Sequence, residues 1–222
     1  MMKTEFPIGK NNTIKFISDS GTLPPVPAKR MIPDWYRLSE NTFVDDDGNL
    51  KSGMKRCVPF LDIMISGYML VLGEDAVVTV QDGLPKIKNS IVYERHKDMG
   101  ATIVRPAGHH YNSFVWHNPW AWETPKGWST IITHPYNRFD LPFTTLSGFM
   151  ETDNMVSGGS LPFYLKEGFE GVIPAGTPIA QIIPVERKNW NSEILNHAIV
   201  FDGSYTGEGH YKRHDWVKKQ YD

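Results

Sequence analysis

The chain has 222 residues, a formal net charge of −2 and 40 % hydrophobic residues. That length suffices to bury a core, and that composition excludes wholesale disorder. The charge argues against a dedicated nucleic-acid coat or a basic membrane-surface protein, so nucleic acid is not an expected partner.

A single cysteine, Cys57, excludes an intrachain disulfide and fits an intracellular compartment or a virus particle. Lys3, Glu5, Lys10 and Lys15 interrupt the first residues, so no secretory leader is expected. No apolar run is long enough to cross a bilayer as a helix. Seven Trp, nine Tyr, eleven Phe and sixteen Pro favour pleated sheet with tight corners over a helical bundle. The expected fold class is therefore mainly all-β.

In chain order, Thr13–Ser18 predicts an edge strand. Pro24, Pro25, Pro27 and Pro33 make the next stretch an extended arm, with a helical turn starting at Asp34 as its cap. Asp47-Gly48-Asn49 predicts an acidic hairpin turn; its adjacent aspartates lack the alternation of a calcium loop. Pro59 opens a short helix through Ile65, and Gly67 stops it. Cys57 reads as a small buried filler. Tyr68–Leu72 enters the sheet, and Ala76–Gln81 and Ile87–Tyr93 form strands around an Asp82-Gly83 turn.

Residues 94–126 concentrate His109, His110, His117, Trp116, Trp120 and Trp122. Adjacent side chains on a strand face opposite ways, so His109 and His110 cannot both hold one ion. The alternative to a metal site is an aromatic cluster lining a groove or a subunit contact. Trp128–Thr133 and Thr144–Met150 are strands flanking a turn braced by Arg138 and Asp140. Leu161–Leu165 and Glu170–Ile173 are expected to pair. Pro174–Thr177 is a type-II-like corner, and Ile179–Val185 is a strand buried on both sides. Asn191–His197 and Tyr211–Tyr221 read as helical, the latter basic.

This divides the chain into an arm (1–54), one β-rich domain (55–190) with its core at 127–190, and a C-terminal helical extension (191–222).

Several separated motifs then occur in a fixed order: PAKRMIPDWY, TPKGWS, HPYNRFDLPF and GTPIAQ. Together they resemble a family of unknown function found in tailed phages and bacteria. That resemblance implies a phage protein in the host cytoplasm or the virion, partnered by copies of itself (a trimer among the options) or by other phage proteins.

The C-terminal half also resembles the β-clip of trimeric dUTPases and dCTP deaminases. Gly148–Asn154 stands where those enzymes line the sugar pocket, and Gly176–Ile182 where a strand closes their barrel. That resemblance implies a β-clip, dUTPase-like barrel. The catalytic set is incomplete, because the pocket Asp falls on Glu151 and the stacking Tyr on Asn154, and only Asn137-Arg138 lies near the phosphate-loop position.

Three function classes follow. The first is a non-catalytic structural, assembly or ligand-binding module without a cofactor. The second is a nucleotide-acting enzyme with Glu151 or Asp153 as general base, Arg138 on phosphate, Trp residues stacking the base, and Mg²⁺ as the required ion. The third is a metal enzyme on His109, His117 and His134. The candidate ligand groove comprises Trp116, Trp122, His134, Arg138, Glu151 and Asp153, although loop bracing by Arg138 accounts for the same residues.

Overall fold

The structure is a computed structural model that describes residues 12–18, 21–95, 104–156, 158–195 and 211–222. Among the described residues the chain is mainly β. In chain order the strands are β1 (Lys15–Ile17), β2 (Val26–Pro27), β3 (Thr42–Val44), β4 (Leu50–Ser52), β5 (Tyr68–Val71), β6 (Ala76–Gln81), β7 (Leu84–Lys88) and β8 (Val92–Glu94). There follow β9 (His109–His117), β10 (Ala121–Glu123), β11 (Trp128–Thr133), β12 (Phe143–Thr145), β13 (Gly148–Met150), β14 (Ser160–Lys166), β15 (Gly171–Ile173) and β16 (Pro178–Glu186). The α-helices are α1 (Asp34–Leu38) and α2 (Val58–Ile65).

The chain divides into two compact units: 1–26 with 67–187, and 27–66 with 188–222. The α2 segment belongs to the second unit, and the first ends at Arg187.

The larger unit carries a sheet in the order β13-β11-β16-β5-β2, whose last strand lies where the chain passes to the second unit. It also carries the sheets β12-β14-β9-β8 and β15-β6-β7, and the pair β1-β10. All of these are open sheets, and none closes into a barrel among the described residues.

β16 earns its central place by composition. Its apolar run is flanked on both sides, by β11 (Ile132↔Ile182) and by β5 (Ile182↔Tyr68). The pleat sends Ile182, Ile132 and Ala180 inward, where they join Leu70, Trp116, Trp122, Phe143 and Phe163 in one core. Within it Trp116 stacks on Phe163 with ring centroids 3.9 Å apart.

Two turns follow from sequence alone. Asp82 (φ 51°) and Gly83 (φ 75°) are both left-handed, the conformation that a two-residue hairpin between β6 and β7 requires. Gly176 (φ 81°) sits third in a turn closed by Thr177 N–H donating to Pro174 O at 3.1 Å. Gly67 is constrained by space as well: at φ +69° a Cβ would lie 2.0 Å from the Ile182 carbonyl oxygen.

Several expectations are corrected. Thr144–Met150 is not one strand, because the chain breaks after Thr145 and β12 and β13 join different sheets. β14 and β15 do not pair: β14 lies between β9 and β12, and β15 pairs with β6. A local hairpin reading fails because the partners of both strands are remote in sequence.

In the smaller unit, Pro33 caps α1 and Asp34 is its first helical residue. α2 begins as expected, with Pro59 in its first turn. Asp45 Oδ1 accepts from Asp47 N–H (3.1 Å) and Asn49 N–H (2.8 Å), which fixes the β3–β4 turn. Asn191–Leu195 is irregular, and residues 196–197 of that expected helix lie outside the described residues. The terminal segment is a single π-type turn, Tyr211–Asp215, followed by irregular chain. Cys57 is exposed rather than buried.

Candidate functional site

The residues singled out for chemistry fall into two polar clusters at opposite ends of β11. Five residues of extended chain separate them, about 17 Å at ~3.4 Å per residue.

The first cluster is built on the segment TPKGWS. Trp128 N–H donates to Pro125 O (3.1 Å), which makes a turn with Gly127 at φ +86°. The turn aims the Gly127 N–H at Asp153 Oδ2, 2.7 Å away. Arg187, the residue after β16, completes the cluster. Its guanidinium donates to Asp153 Oδ1 (2.8 Å), Asp153 Oδ2 (2.5 Å), Ser129 Oγ (2.8 Å) and Trp128 O (3.0 Å). A planar fork facing a planar carboxylate is the geometry that favours Arg here.

The Asp153 side chain is fully covered. The hydrogen bonds from Arg187, then the Gly127 N–H, hold its carboxyl down at about 2. A carboxylate so weakly basic, with both oxygens occupied, is a poor general base near neutrality. Thr124 and Thr152 hydroxyls meet at 2.7 Å beside it. Glu151 is exposed, and its carbonyl accepts from the Asn154 and Met155 amides.

The second cluster is the turn HPYNRFDLP. Arg138 grips Asp140 with Nε (2.9 and 3.2 Å) and Nη2 (2.9 Å). His134 Nε2 lies 3.1 Å from Arg138 O, and its Nδ1 lies 3.3 Å from Thr145 N. A carbonyl only accepts and an amide N–H only donates, so the partners select the neutral tautomer with hydrogen on Nε2. Burial pushes the imidazole pKa below its ordinary value, while the Arg138 carbonyl opposes the shift. Gln181 Oε1, fully buried, accepts the Tyr136 N–H at 2.9 Å and ties the turn to β16.

The expected groove of Trp116, Trp122, His134, Arg138, Glu151 and Asp153 is therefore not one site. Both Trp side chains are core: each is 0 % exposed, and Trp122 Nε1 donates to Thr130 Oγ1 at 3.0 Å. Inward-facing positions of β9 and β10 explain this, since an aromatic-rich strand fills a core before it lines a groove.

The three histidines do not converge either. His109 and His117 are the two ends of β9, about 26 Å apart at ~3.3 Å per residue. His109 bonds the Thr144 hydroxyl (2.9 Å), whereas His134 packs edge-on against Phe143. Thr144 and Phe143 are neighbours on β12 and point to opposite faces, so these two imidazoles lie on opposite sides of the strand. Among the described residues no group of three or more His, Cys, Asp or Glu side chains is placed to hold a metal ion.

Sequence reading missed Arg187 and Ser129. Arg187 carried a signal, as the first cation after a long apolar strand and the last residue of GTPIAQIIPVER. Ser129 had none beyond its place in TPKGWS.

No protein-family model matches the chain, and no curated protein matches it. Among the described residues no helix is long and apolar enough to cross a membrane.

Proposed function

We propose that this chain is a non-catalytic β module of phage type, related to the β-clip proteins, that works by assembling with further copies of itself. One observation carries this reading. Four of the side chains suited to chemistry are committed to internal contacts: Asp153 to Arg187 and Gly127, Arg138 to Asp140, His134 to Arg138 O and Thr145 N, and His109 to Ala107 O and Thr144, while Glu151 and His117 are exposed. A nucleotide-acting site would need at least one of these groups turned towards a substrate.

The choice of assembly over small-molecule binding rests on the five-stranded sheet. The pleat turns Ile132 and Ile182 to the core and leaves Phe149, Ile131 and Ile183 in one cross-strand row on the other face. Phe149 is 57 % exposed and Ile131 and Ile183 are half-buried. An apolar row of this kind at a sheet margin suits a subunit contact.

Native mass spectrometry tests the reading together with pyrophosphate release from a panel of deoxynucleoside triphosphates with Mg²⁺. The expected result is a homo-oligomer that Phe149→Glu dissociates, with no turnover. A monomer at every concentration, or turnover abolished by Asp153→Asn, would overturn it.

A further inference from the structure

Within the smaller unit the C-terminal segment lies docked on α2. Trp216 Nε1 donates to both oxygens of Asp62, at 3.1 Å (Oδ1) and 2.9 Å (Oδ2). Lys219 Nζ reaches Asp62 Oδ2 at 2.5 Å. A second fastening holds the far end, where Lys29 Nζ meets the Asp222 side chain at 2.5 Å. Asp62 is a helical residue whose side chain is only 10 % exposed. A carboxylate withdrawn from water requires partners, and here an indole N–H and an ammonium supply them.

The spacing of those partners makes the contact read as recognition. Trp216 and Lys219 are three residues apart on chain that is neither helix nor strand, yet both point at one carboxylate. Indole and ammonium contribute different things: a flat apolar body with one directed donor, and a mobile charge. The docked segment therefore meets α2 through two side chains that converge on one carboxylate. The tail is far from α2 in sequence: 154 residues separate Trp216 from Asp62.

We propose that the α2 face centred on Asp62 is a docking site for a peptide segment of another chain that carries a Trp followed three residues later by a Lys, and that this chain's own tail occupies the site until such a segment displaces it. This surface belongs to the smaller unit, and the inference does not rest on the assembly reading. Two outcomes of docking are physically distinct. A covalently attached tail competes intramolecularly with any added peptide, so the native chain masks its own site. A chain whose tail lacks the two anchoring side chains presents the site open.

The test uses the full chain and a fluorescein-labelled peptide with the sequence of residues 211–222, followed by fluorescence anisotropy. The full chain carrying Trp216→Ala and Lys219→Ala should bind the peptide saturably, and about ten-fold or more tighter than the wild type does. Adding Asp62→Asn to that chain should remove the binding. A peptide with both anchors replaced by Ala should not bind, and this arm leaves the protein's helix untouched. Circular dichroism confirms that each variant retains the wild-type fold. Absence of saturable binding to the disarmed chain, or equal binding by the anchor-less peptide, overturns the proposal.

Discussion

The two units bury their apolar side chains very differently. In the larger one Trp116, Trp122, Phe143, Phe163, Leu70, Ile179 and Ile182 lose essentially all contact with water and form one continuous core. In the smaller one Ala28, Tyr36 and Met64 are buried, while Leu38, Val44, Leu50, Trp190 and Ile194 stand in solvent at 60 % exposure or more. The difference follows from the elements. Strands with a two-residue period, paired on both edges, sort their side chains into an inside and an outside. A lone two-stranded hairpin, a five-residue helix and an eight-residue helix offer too little opposed surface to do the same. The larger unit is held by packing. The smaller one relies visibly on directed polar contacts, such as those of Asp62 and of Lys29 with Asp222.

The most severe break in that contrast is a hole in the larger core. Trp116→Ala removes a side chain stacked at 3.9 Å on Phe163 and packed edge-on to Phe143 at 5.2 Å. The expected loss is about 3–5 kcal/mol in urea unfolding, enough to unfold a marginal protein. Trp116 Nε1 has no hydrogen-bond partner among the described residues. Trp116→Phe should therefore cost much less than its lost volume alone implies, because it also removes an unpaired buried donor. If Trp116→Ala leaves stability unchanged, the contrast between the units fails.

The next effect is electrostatic. Arg187→Ala leaves the covered Asp153 carboxylate with the Gly127 N–H and the distant Lys126 ammonium, 3.8 Å away. It should lower the Tm more than Asp140→Ala, whose side chain is 40 % exposed. The pH dependence has a definite sign. The folded carboxyl titrates at about 2, below its ordinary 3.8. The stability it confers is therefore complete above pH ~4 and is lost as pH falls through that value towards ~2. Thermal melts from pH 5 to pH 2.5 should show a decline that is shallower in Asp153→Asn. An unchanged decline would remove Asp153 as its source.

How much of this was legible beforehand depends on the range of the interaction that fixes each element. The Asp82-Gly83 hairpin, the Pro174–Thr177 corner, the α2 start at Pro59 and the central strand through Ile179–Val185 are decided by neighbours in sequence and could be read directly, although the expected burial on both sides holds only for 179–182, and Ile183–Val185 are half-buried. The sheet partners of β12, β13, β14 and β15 are decided by remote strands, and no local pattern marks them. The same division separates the candidate residues. The Arg138–Asp140 brace spans two positions and was foreseen as an alternative. The Asp153–Arg187 pair spans 34 residues, and only the fold shows that the Asp read as a possible base is instead a covered structural anion. The His- and Trp-rich run at 94–126 misleads for a physical reason: residues 112–116 of β9 are buried on both faces of the strand, and composition does not show that.

The smallest effect sharpens the comparison from the other side. Val44 and Leu50 stand opposite each other on β3 and β4 and are 64 % and 71 % exposed. Leu50→Ser removes apolar surface that is already in water, so urea unfolding should change by no more than about 0.5 kcal/mol. Sedimentation should show the same or weaker self-association, since an exposed apolar pair on a short hairpin favours association and not folding. A loss above about 2 kcal/mol would mean that this hairpin is covered in solution, and the smaller unit would then join the larger one as a structure held by packing.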